Sequence, residues 1–162
     1  MKKRFVIIFP LLALLFVFSA CSDDNGEGSG PVVRNISNSG CKEAGVNTES
    51  NGASSPDILG RTEKIVCKGA ADGTLRITHQ DLVVNCASKF NARVWLAGNR
   101  IVLTETAEGE EANCVCAYDL TTEIGPLLEK DYSLVVKTPS GEEVSMAFHF
   151  SPGLNSAFDV RK

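Results

Sequence analysis

Histidine and tryptophan are nearly missing from this chain: it holds two of the first and one of the second in 162 residues. A His-driven catalytic relay or a His-rich metal cluster therefore has little to be built from. No nucleophile elbow, zinc-protease helix, phosphate loop or dinucleotide fingerprint occurs. His79 and His149 read as structural or solvated residues. The carboxylates sit in loops, without the pairing that general acid–base chemistry needs. Helical periodicity is also lacking, since no stretch keeps an apolar stripe for three turns. An apolar run able to cross a bilayer is absent too: the longest, Phe5 to Phe18, has about 14 residues where a span takes roughly 20.

What the N-terminus does contain is an ordered layout. Met1-Lys2-Lys3-Arg4 is basic, Phe5 to Phe18 is apolar, and Ser19-Ala20-Cys21 places two small residues before a thiol. This is the charged region, apolar core and small-residue cleavage site of a secretory signal peptide. Phe18-Ser19-Ala20-Cys21 resembles the lipobox of bacterial lipoproteins, with Phe18 where Leu is usual. The resemblance implies that residues 1–20 are removed and that Cys21 carries the lipid. Ser22-Asp23-Asp24 resembles the acidic export tag of surface lipoproteins in the Bacteroides group. It implies an outer-membrane, cell-surface address, with the lipid anchor as the contact to the membrane.

Loss of residues 1–20 takes away three cations and no anions, which leaves 13 Lys plus Arg against 20 Asp plus Glu, a formal charge of −7. Such a balance disfavours nucleic acid as a partner, because phosphates need cationic neutralisation. Residues 21–57 are rich in Gly, Ser, Asn, Asp and Glu and read as the lipidated end plus a flexible tether. Pro31-Val32-Val33 and Ile36 are apolar exceptions suited to docking on a domain edge. A bridge from Cys41 would pin the tether.

From Ile58 to Lys162 the texture is that of one all-β domain. Short β-branched runs alternate with turn clusters: Glu63 to Lys68, Thr74 to His79, Leu82 to Cys86, Ala92 to Ala97, Arg100 to Thr106, Cys114 to Ile124, Tyr132 to Thr138 and Val144 to Phe150. Gly98-Asn99 and Pro139-Ser140-Gly141 mark hairpins. Seven or eight mostly antiparallel strands at this spacing predict a single β-sandwich, with a small β-barrel as the alternative. The stretch Leu127 to Val136, with Tyr132 opening an alternating run, resembles the tyrosine corner of Ig-like and fibronectin-type sandwiches. It implies that the phenol hydroxyl is tied to backbone upstream.

Five cysteines besides Cys21 are disulfide candidates in an oxidising compartment: Cys41, Cys67, Cys86, Cys114 and Cys116. Alternation places Cys114 and Cys116 on the face of Tyr118, Leu120 and Ile124, and Cys86 on that of Leu82 and Val84. Both faces read as inward, so Cys86 is expected to bridge to Cys114 or Cys116, leaving Cys41 and Cys67 for a second bond. A thiolate metal site from Cys86, Cys114 and Cys116 with Cys67 or His79 is the alternative. It is disfavoured because same-face residues two apart stand roughly 7 Å apart, whereas thiolates on one zinc lie about 2.3 Å from it. A redox role for Cys114-Val115-Cys116 lacks the two-residue spacer of the usual motif. Glu108, Glu110, Glu111, Asp72 and Asp81 would hold calcium only if their loops converged, and read otherwise as a solvated rim.

Trp95 completes the list. A core position is the commoner one for a lone tryptophan. An outward position would offer a flat apolar ring for stacking a sugar. With no cofactor and no catalytic group in view, the sequence reads as a non-enzymatic surface module that binds glycan or protein. The alternative is an envelope thiol- or metal-binding module.

Overall fold

In the computed structural model the described residues are 31–42, 44–46, 61–109 and 112–160. Cys21, the signal segment, Glu110 and Glu111 lie outside them. Ten strands run in chain order: β1 (Val32–Asn38), β2 (Ala44–Val46), β3 (Lys64–Gly69), β4 (Leu75–Asn85), β5 (Lys89–Ala97), β6 (Arg100–Glu108), β7 (Cys114–Gly125), β8 (Asp131–Lys137), β9 (Glu143–His149) and β10 (Asn155–Asp159). They form a six-stranded sheet, β10-β3-β4-β7 with β1 and β2 end to end along the outer edge of β7, and a four-stranded sheet, β5-β6-β8-β9. Both sheets are open, so the fold is a sandwich and not a barrel. All pairings are antiparallel except β6 with β8, which run parallel. That pair departs from the antiparallel sheets the Ig-like resemblance implies.

The count exceeds the expected seven or eight for two reasons. Residues assigned to the tether supply β1 and β2, so the sandwich begins near residue 31 and not at Ile58. Val33 and Ile36 on β1 pack against the core as docked apolar residues. At the other end, β10 adds a short edge strand whose Phe158 faces Ile65 of β3 in register.

Alternation sets the core. Leu75, Ile77 and His79 of β4, Ile101, Leu103 and Glu105 of β6, Leu120, Thr122 and Ile124 of β7, and Leu134 and Val136 of β8 are all buried. The two runs expected at 74–79 and 82–86 are one strand interrupted by a bulge, where the register with β7 shifts between His79 and Leu82. Asp81 takes φ +57° there, a left-handed conformation that Asp tolerates better than most residues. The bulge moves the inward parity from odd to even numbers, so Leu82 stays buried. Arg61 and Lys42 hold Asp81 at 2.9 and 3.0 Å, and Lys42 also reaches Asp119 at 2.6 Å.

Tyr132 is buried, and its Oη accepts a hydrogen bond from the Leu128 backbone N–H at 3.2 Å. This is the upstream tie expected of that tyrosine. Gly98, at φ +63°, closes the β5–β6 hairpin, with Ala97 facing Arg100. Asn99 of that turn accepts from Ser133 N–H at 3.0 Å and so joins the hairpin to β8.

Gly69 ends β3 where the chain leading into β10 passes closest. A Cβ there would run into the Ser151 carbonyl. Gly69→Ala is therefore expected to cost about 1–3 kcal/mol, read as a lowered midpoint in urea unfolding. A midpoint equal to the parent's would show that this approach is looser than described.

Candidate functional site

The outer face of the four-stranded sheet is built by the residues that alternate away from the core. On β5 these are Asn91, Arg93, Trp95 and Ala97, and on β6 Arg100, Val102, Thr104 and Thr106. Register aligns them in rows across the sheet. Trp95 faces Val102, which faces Val135, which faces Ser145. One row along, Ala97, Arg100, Ser133 and Ala147 line up, and on the other side Arg93, Thr104, Lys137 and Glu143. The result is a surface with an apolar centre, hydroxyls around it and arginines beside the tryptophan.

Trp95 is 58% exposed. The expected core position is thus corrected: residues Val94 and Leu96 take the inward side of β5 and pack against the core, and the ring is left on the outside. A shallow depression of about 380 Å³ lies on the same face, lined by Arg100, Ser133, Leu134, Val135, Ser145, Met146 and Ala147. Arg93 and Arg100 are exposed and make no ion pair or side-chain hydrogen bond among the described residues. Lys137 does pair, with Glu143 at 2.8 Å. That bond, and secondarily the field of Arg100, hold the Glu143 carboxyl below its usual range.

Inside the sandwich a second polar group bridges the sheets. His79 is fully buried, and its Nδ1 lies 2.8 Å from Glu105 Oε2, across the core on β6. On the other side of the ring, Nε2 stands 3.4 Å from Glu63 Oε2, an ion-pair contact longer than a hydrogen bond. Burial opposes the charged imidazolium, but the two carboxylates outweigh it and raise the pKa to about 9. His79 does not end a strand as the sequence reading had it; it sits mid-β4 and is structural. The carboxylates on opposite sides of the ring leave no position where all three groups could ligate one ion. Among the described residues no group of three or more His, Cys, Asp or Glu is placed to hold a metal.

The cysteines pair as Cys86–Cys114, one of the two expected bonds, and Cys41–Cys116. The second corrects the expected Cys41–Cys67 bond: Cys67 is free and buried in the core. It faces Ile77 on β4, while Cys116 faces Val84, so the two lie roughly 20 Å apart along the strand at 3.3 Å per residue. Burial pushes the Cys67 thiol up to about 12, so it is unreactive at neutral pH. The same separation keeps Cys67 away from the other thiols, and His79, which faces Leu120 four residues from Cys116, stands about 13 Å away along the strand.

Known proteins do not extend this picture: the chain matches no family model, no curated protein and no solved structure.

The remaining candidates fall apart spatially. Asp72 sits in the β3–β4 turn, where Thr74 and then Arg34 hold its carboxyl below the ordinary range. Asp81 is committed to Lys42 and Arg61 at the bulge. Neither joins Glu108, at the end of β6, in a group placed to hold a metal ion. His149 is exposed, as expected, and pairs with Asp131 at 2.8 Å. Sequence reading missed Arg93 and Arg100, although both share Trp95's parity in the paired strands.

Proposed function

We propose that this chain is a non-enzymatic, lipid-anchored module of the bacterial cell surface that binds glycan through the outer face of its four-stranded sheet. The observation that carries the reading is Trp95: an exposed ring on the outer sheet face, with hydroxyls of Thr104, Ser133 and Ser145 on the same side. Stacking of a sugar on an aromatic ring uses the ring's flat apolar face, and neighbouring hydroxyls serve the sugar's own. The layout of residues 1–21 supports the anchor, and Ser22-Asp23-Asp24 supports surface display.

Two measurements test it. Palmitate should label the chain and should fail to label Cys21→Ala. On a glycan array the full chain should bind at least one class of oligosaccharide, and Trp95→Ala should weaken that binding at least tenfold without changing the unfolding free energy by more than about 0.5 kcal/mol, the usual range for a surface substitution. Equal binding by Trp95→Ala would dismiss this face as the site.

A further inference from the structure

Arg93 and Arg100 turn the question from whether this face takes a sugar to which kind. Arg93 precedes Trp95 by two residues on β5, so the two side chains leave the same face roughly 7 Å apart. Arg100 is the diagonal neighbour of Trp95 across the β5–β6 pair, since Trp95 faces Val102 and Arg100 faces Ala97; such neighbours stand about 7–8 Å apart. The ring thus has an arginine rooted on each of two sides. Both are exposed, and neither makes an ion pair or a side-chain hydrogen bond among the described residues, although Arg100 acts on Glu143 through its field.

This is unusual in a chain whose charge is −7 once residues 1–20 are removed. Elsewhere among the described residues the arginines are engaged: Arg34 with Asp72, Arg61 with Asp81, Arg76 with Glu123. The two without an ion pair stand beside the exposed tryptophan. Guanidinium is the side chain best shaped to grip a planar carboxylate or a sulfate with two parallel N–H bonds.

We infer that the ligand is an acidic oligosaccharide, with one sugar ring stacked on Trp95 and carboxylates or sulfates on either side of that ring held separately by Arg93 and Arg100, whose side chains leave the sheet about 14 Å apart. This rests on the glycan reading above and narrows it. A protein partner fits less well. The apolar centre is only Trp95, Val102 and Val135 between Ala97 and Ala147, short of the well-packed cluster that carries a protein interface. Hydroxyls of Ser133 and Ser145 in the shallow depression next to Arg100 suit a neighbouring sugar unit.

Trp95 is the single tryptophan, so its fluorescence reports this face alone. The full chain in a polyoxyethylene detergent would be titrated with four probes: an oligouronate, a sulfated oligosaccharide, a neutral oligosaccharide of equal length, and a polyglutamate peptide. The expected result is a saturable change with the oligouronate or the sulfated sugar, at least tenfold tighter than with the neutral sugar and weakening as salt rises. Which of the two acidic probes responds identifies the anionic group. The Arg93→Gln/Arg100→Gln pair should lose that tenfold margin and retain the neutral-sugar affinity. Equal affinity for neutral and acidic sugars would overturn the inference and leave the glycan reading standing. Equal affinity for polyglutamate would overturn it in favour of a plain anion patch. No response to any sugar, or a fluorescence change that follows protein concentration as two copies meet at Trp95, would overturn both.

Discussion

Replacing Glu105 by alanine is expected to destabilise the sandwich by about 3–5 kcal/mol, the cost of leaving one partner of a buried ion pair alone. Glu105 is 1% exposed and His79 is fully buried, so the imidazolium would lose its nearest counter-charge within the core. The pH dependence follows from the same group. The folded pKa of His79, about 9, lies above its ordinary value of 6.5. The imidazolium's contribution is therefore complete below about pH 6.5 and is lost as pH rises through 9. At about 1.36 kcal/mol per unit the change is on the order of 3 kcal/mol. Urea midpoints at pH 6, 7.5 and 9 should fall in that order, and His79→Asn should flatten the slope. A parent profile that is level over this range would mean that His79 is neutral in the folded chain. Filling the same space with apolar groups, as in His79→Leu/Glu105→Leu, should recover much of the loss, because no unpartnered charge remains between those two positions.

Removing the Cys41–Cys116 bond as Cys41→Ala/Cys116→Ala is expected to cost about 4.5 kcal/mol, the loop entropy released in the unfolded chain by a bridge of this length. The sequence separation is 75 residues, against 28 for Cys86–Cys114, and the same reasoning gives the shorter bridge about 3.5 kcal/mol. Both cysteines of a bond must be replaced together. Cys116 Sγ lies 2.9 Å from Cys86 Sγ, so a lone Cys116 thiolate would stand against the remaining bridge and exchange with it. Guanidinium unfolding of the double variant checks the size of the effect. Peptide mapping without reductant should return 41–116 and 86–114, with Cys67 alkylated only after unfolding. A change below 1 kcal/mol would place the constraint of the unfolded chain elsewhere.

The architecture was readable because burial on one face of each strand leaves a period of two. Leu75 and Ile77, Leu120 and Ile124, Leu134 and Val136 all alternate with polar neighbours, and the Gly98-Asn99 and Pro139-Ser140-Gly141 turns punctuate them. β1 and β2 were harder to see. Val32, Val33 and Ile36 are isolated in a Gly- and Ser-rich stretch, and what orders them is the edge of β7 and a bond to Cys116, both distant in sequence. β10 follows Pro152-Gly153 and carries one large apolar residue, Phe158, too little for a period to register. The charged core was legible in principle. Glu105 shares its parity with Ile101 and Leu103, and His79 shares its parity with Leu75 and Ile77. A polar residue on an apolar parity calls for a buried partner, and that the two meet across the sheets is decided only by packing. Trp95 was misplaced for the opposite reason: tryptophan's usual preference for the interior was set above its parity, which points outward. Its arginines became visible only through the β5–β6 register, which puts Arg100 on the diagonal.

The seating of β1 has a mechanical consequence. Val32 pairs with Gly125 and Asn38 with Leu120, and three residues later Cys41 is covalently joined to Cys116. A force applied at the N-terminus can strip β1 from β7, but the peeling front stops at the sulfur bond. From there the load passes into β7, which is braced by β4 along most of its length. A domain held at one end in flowing medium would give way by a few residues and then hold, and reducing agent would remove that stop.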